Sequence, residues 1–213
     1  MGDLTVLRVA PGKLFVPPRN VAVHEAGHVV ASVDLGFYFL DVTVLPDPQY
    51  SGCVLGIRAP RAIDPSAVRG YSHIRAGRRA ALAKSMIVDL AGLAAEHKDG
   101  MGLSAAVKRS VGRGSDGEHF RNAMQEVAVD DLDLRRVQYE AIAETNRLVR
   151  RPEIQAAIQR IADALQEYGT LDFFAVIRIT GCRFEDGQRA VWPPAPEEDG
   201  DDDGGDVAEV RRG

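Results

Sequence analysis

Residues 21–34, VAVHEAGHVVASVD, constrain this chain more than any other stretch. Val21, Val29, Val30 and Val33 surround a charged triplet at helical intervals, which predicts a mostly buried helix with Asn20 as its N-cap. Two histidines and a glutamate are costly in such a place unless they are paired or metal-bound. Residues i and i+4 stack on one helix face, so His24 and His28 aim their imidazoles at one point. Glu25 is turned by about 100 degrees from His24, beside that point and not on it. The pattern HExxH therefore suits a tetrahedral zinc held by the two histidines, with Glu25 as general base toward a zinc-activated water. The same residues also suit an amphipathic helix whose histidines are simply hydrogen-bonded. Gly27 weighs against that: a mid-helix glycine costs about 1 kcal/mol relative to alanine, so something approaches the backbone closely there.

A chain of 213 residues fits one well-packed core plus tails. Residues 1–20 read as an extended lead-in, with a short strand in LTVLRV and prolines at 11, 17 and 18. FYFLDVTVLPD and CVLGI, rich in β-branched and aromatic residues, read as paired strands. RAIDPSAVRGYSHIRAGRR reads as a polar connection into the core helix AALAKSMIVDLAGLAAEH, where Leu82, Met86, Leu90 and Leu93 recur at helical intervals. A Gly-rich loop, DGMGLSAAVKRSVGRGSDG, precedes a helix faced by Phe120, Ala123, Met124 and Val127. Two further helices are expected at about 131–149 and 153–168. The expected fold is α+β and mainly helical, with a small sheet beside the histidine helix, in one domain over residues 21–183. Residues 184–213 are expected to form an acidic disordered tail.

The formal charge of -5 belongs to that tail: residues 185–213 hold ten Asp/Glu against three Arg, and the remainder holds 23 basic and 21 acidic residues. A near-neutral body without a basic run interleaved with aromatics excludes the usual nucleic-acid partner. Cys53 and Cys182 are too few for a disulfide framework, which suggests a reducing compartment. No stretch reaches the roughly 20 apolar residues of a membrane span, and the N-terminus does not read as a secretory signal. A cytoplasmic location is the resulting expectation.

Several segments in order carry a family likeness: HEAGH, DVTVLPDPQYSGCVLGI, LAGLAAEHKDG, GSDGEHF and IADALQEYGTLD. Over about Val21 to Ile179 the chain resembles the peptidase domain of the FtsH-type ATP-dependent zinc proteases. The resemblance implies a zincin-like metallopeptidase that cuts unfolded or flexible polypeptide, with His24, His28 and Asp116 as zinc ligands and Glu25 as the base. It differs from the family in lacking a G-x-x-x-x-G-K-[ST] nucleotide motif and a membrane anchor. Leu93 stands where the family usually has Arg, and the loop from Glu96 to Asp116 is longer. Such a chain implies already flexible substrates, a separate ATPase that feeds it, or a homo-oligomer.

Other residues compete for the same roles. Asp34 lies at a spacing that some zincins use for a third ligand, but Ala31 replaces the glycine that would bend the chain. Glu96 suits a partner that accepts a proton from a ligand histidine, or an ordinary surface ion pair. Asp116 also suits an N-cap, in which case Glu96 or Glu118 becomes the third ligand. His119 and His73 read as surface residues. The alternative to a zinc endopeptidase is a catalytically weak or inactive zinc-holding adaptor.

Overall fold

The computed structural model describes residues 17–46, 52–57, 71–96, 103–110, 115–185 and 189–196. The LTVLRV segment and the acidic run from residue 197 onward lie outside the described residues. Helix α1, Arg19–Asp34, is apolar nearly all round: Ala22, Ala26, Val29, Val30 and Val33 are fully buried. A helix of that kind belongs in the centre of a core. It starts after Pro18 with no side-chain cap, so Asn20 is not the N-cap expected for it; the Asn20 amide instead donates to Glu96.

Helix α2, Tyr71–Glu96, packs along α1. It begins well before Ala80, inside the segment expected to be a polar connection. Arg75, Ala76, Arg78 and Arg79 are good helix formers, so propensity extends the helix where apolar periodicity gives no signal. Gly27 explains the closeness of the two helices: a Cβ there would lie 2.6 Å from the Ala91 carbonyl oxygen and 2.8 Å from the Ala95 Cβ.

Strands β1, Asp41–Thr43, and β2, Cys53–Leu55, pair antiparallel with Val42 opposite Val54. The other side of β1 pairs with β3, Thr170–Asp172, in the order β2-β1-β3. Among the described residues β2 is therefore an edge, and the sheet lies against α1.

Helix α3, Leu103–Arg109, occupies part of the expected Gly-rich loop. Its buried Leu103, Ala106 and Val107 form a one-turn apolar stripe, too short to stand out among the surrounding glycines. Helices α4, Asp116–Val127, α5, Asp131–Val149, and α6, Pro152–Tyr168, follow at the expected positions. Helix α7, Phe173–Thr180, leads into a hairpin of β4, Arg183–Glu185, and β5, Arg189–Val191.

That hairpin corrects the expected start of the tail at residue 184. Ala190 and Trp192 are buried, and the Trp192 indole N–H donates to Asp34 Oδ1 at 2.8 Å. Asp34 also receives the Arg151 guanidinium at 3.1 Å, so its carboxylate is used in packing and not as a ligand. The fold is thus mainly helical with small sheets, and among the described residues no helix is long and apolar enough to cross a membrane.

Apolar side chains lie in two clusters on opposite faces of α2. Val88, Ala91 and Ala95 face α1 and join the cluster that α1 shares with α6 and the sheet. Met86, Leu90, Leu93 and Ala94 face α3, α4 and α5. Leu93 belongs to the second cluster, where an arginine would have had to bury its charge.

Candidate metal centre

His24 and His28 project from α1 toward the start of α4. Nε2 of His24 lies 3.0 Å from Nε2 of His28 and 2.9 Å from Oδ2 of Asp116, which is 3.4 Å from Nε2 of His28. The three ligand atoms thus form a near-equilateral face. Ligands at about 2.0–2.1 Å around a tetrahedral zinc stand roughly 3.3 Å apart, close to this spacing. Among the described residues these three form the group able to hold a metal ion.

The tautomers follow from the second nitrogen of each ring. Nδ1 of His28 donates to the Val88 carbonyl oxygen at 2.7 Å, because a carbonyl only accepts. Nδ1 of His24 donates to the Glu96 carboxylate at 3.1 Å for the same reason. In the neutral imidazoles both Nε2 atoms therefore present lone pairs, and Asp116 adds a third acceptor. Three acceptors within about 3 Å repel one another unless a cation or a proton lies among them. The donor set, two imidazoles and a carboxylate, fits zinc, and orientation by outer hydrogen bonds is how such ligands are normally held.

Electrostatics describe the same conflict. Burial opposes charge on His24, yet its bonds to Asp116 and Glu96 outweigh that and raise its pKa to about 10. His28 is also raised, with burial resisting and the Asp116 charge driving the shift. Burial resists ionisation of Asp116, but the two imidazoles hold its carboxyl well below the usual range. These shifts favour a proton on His24 in the metal-free protein, where a metal would displace it.

Glu25 is buried, and its carboxyl is pushed up by that burial. Its carboxylate lies against Gly52, just before β2: a Cβ there would lie 2.8 Å from its Oε1. Glu96, second among the expected candidates, stands behind His24 with the Asn20 amide 3.3 Å from its other oxygen.

Asp116 is the first residue of α4 and not its cap. Ser115 takes that role, accepting the Glu118 backbone N–H. Ser110 anchors the turn: its hydroxyl accepts the Gly117 N–H at 3.1 Å, and its carbonyl accepts from the Ser115 hydroxyl at 3.3 Å. Gly117 is needed because a Cβ there would collide with the Ser110 carbonyl oxygen. Glu118 and His119 lie on the same first turn but outside the ligand group, and the side chain of His73 is outside the described residues.

Gly92, Ser110, Ser115 and the Val88 carbonyl also shape the site, although no motif marks them. A Cβ on Gly92 would collide with Nε2 of His28. The glycine in LAGLAAEH was the one available signal for that contact. No protein-family model matches the chain, and no curated protein matches it.

Proposed function

We propose that this chain is a zinc-dependent endopeptidase acting on unfolded or flexible polypeptides, with a zincin-like fold similar to FtsH-type peptidase domains. The observation that carries this reading is the convergence of three oriented acceptors, His24, His28 and Asp116, beside a buried glutamate that is not among them. Zinc bound by these residues would lower the pKa of a water to about 7 and polarise a peptide carbonyl. Glu25 takes the proton of the attacking water and returns it to the leaving amine, a role suited to a carboxyl raised by burial. Its carboxylate lies against Gly52, next to β2, whose edge would offer backbone groups to an extended chain. Glu96 and the Val88 carbonyl hold the two imidazoles by Nδ1, leaving their Nε2 atoms to a metal that would bind there. The cytoplasmic placement and a separate ATPase partner, or self-association, belong to the same proposal.

Zinc content and casein hydrolysis, measured on one sample, test it. The parent should bind one zinc and cleave casein without ATP. Glu25→Gln should keep the zinc and lose about 10²–10⁴-fold in rate. A zinc-loaded parent that cleaves nothing would instead make the chain a zinc-holding adaptor.

A further inference from the structure

A cavity of about 450 Å³, within the usual range for ligand pockets, adjoins the candidate metal site through Val88. Val88 joins the two: its carbonyl orients His28, and the residue also lines the cavity. Ile57, just beyond β2, forms part of the rim. For a peptide paired with the β2 edge and with its scissile carbonyl at the candidate metal site, this cavity is within reach of a side chain next to that carbonyl.

Phe37, Leu82, Val88 and Ala123 make much of the wall apolar, yet Asp89 of α2 lies among them. Among the described residues no hydrogen bond or ion pair within 4 Å reaches the Asp89 carboxyl, and no lysine or arginine lines the cavity. Burial raises its pKa to about 6, with the histidines at 28 and 119 opposing the shift. The other acid at the cavity is Glu126, which is exposed, and His119 on the same helix is also exposed. An apolar guest would cover the wall but leave Asp89 desolvated without a partner, and an acidic guest would be repelled. A long cationic side chain meets both demands. Its methylene stem lies on the apolar wall and its charged end pairs with the carboxylate.

We propose that this cavity is a specificity pocket for a lysine or arginine side chain adjoining the scissile bond, with Asp89 as its counter-charge. The proposal rests on the peptidase reading and narrows the substrate to basic sites in flexible chains.

Two measurements test it, one of them independent of turnover. In the first, the zinc-loaded protein digests a mixed peptide library, and the cleavage sites are read by mass spectrometry. Lysine and arginine should be enriched at one position flanking the cut. Asp89→Leu should lower kcat/KM for such peptides at least about tenfold, as expected for a lost charge-assisted bond, and shift the preference to apolar residues, with Asp89→Asn between the two. Cleavage without a basic preference, or a preference unchanged in Asp89→Leu, overturns the pocket assignment. In the second, Glu25→Gln protein is titrated with a fluorescent arginine peptide and with its norleucine counterpart. The arginine peptide should bind at least about tenfold more tightly, and the added Asp89→Leu substitution should erase the difference. Equal binding of the two peptides overturns the proposal. If no library peptide is cut, the peptidase reading fails by itself and this binding comparison still decides the pocket.

Discussion

Gly92 faces His28 so closely that any Cβ at position 92 would collide with the imidazole Nε2, the atom aimed at Asp116 and His24. Gly92→Ala should therefore turn the ring from its ligand position while leaving both helices formed. Zinc affinity is expected to fall about 10–100-fold, the range for disturbing an outer contact of a metal ligand. Competition with a chromophoric chelator measures it. Unchanged affinity would mean that the imidazole does not use this face.

Because Ser115 and not Asp116 caps α4, the two roles can be separated by substitution. Asp116→Asn keeps a similar side chain but makes a poor zinc ligand, so zinc content and hydrolysis should both collapse. Ser115→Ala should cost about 1 kcal/mol of stability and leave zinc bound. Thermal melts and metal analysis on both variants check the pair. Full zinc occupancy in Asp116→Asn would remove Asp116 from the site.

Zinc binding near neutral pH should release protons. His24 is raised to about 10, so at pH 7 the metal-free protein carries a proton that zinc must displace. Calorimetry in buffers of different ionisation enthalpy counts the protons, and a count of zero would contradict this. The folding consequence has a definite sign. A group raised from 6.5 to about 10 contributes its full stabilisation below pH 6.5 and loses it as pH rises through about 10. Metal-free protein should thus weaken between these values, and zinc-loaded protein much less.

Much of this arrangement is written locally in the chain, and some of it cannot be. Valines at helical spacing around HEAGH, and the β-branched runs that follow it, identify α1, β1 and β2 because burial imposes period on sequence. Glu96 as the partner of His24 was also within reach, since a carboxylate is the ordinary outer neighbour of a ligand histidine. The joining of Asp116 to the histidines is non-local. Spacing left it an N-cap, and only the family likeness proposed it as a ligand. Gly92 and Ser110 matter through approaches between separate helices and turns, which no periodicity records. The β4–β5 hairpin was obscured by the acidic composition around it, although the chain's one tryptophan, Trp192, stood inside that stretch.

Trp192 makes the hairpin part of the body. Its burial and its bond to Asp34 predict that Trp192→Ala costs about 3–5 kcal/mol. For a chain of this size that lowers Tm by roughly 10 °C. Trp192→Phe should lose only about 1 kcal/mol, the worth of one hydrogen bond. Differential scanning calorimetry distinguishes the two, and an unchanged Tm in Trp192→Ala would show that the indole carries no packing energy.

The two apolar clusters on either face of α2 give the candidate metal centre a mechanical meaning. His24 and His28 stand on a helix rooted in one cluster, and Asp116 begins a helix rooted in the other. A shared cation would act as a clasp across the hinge line between two half-cores, making them melt as a single cooperative unit. Without it, the half formed by α3, α4 and α5 would be expected to open separately, which amide hydrogen exchange on metal-free protein would reveal. Occupancy of the site would then tie the stability of one half to that of the other.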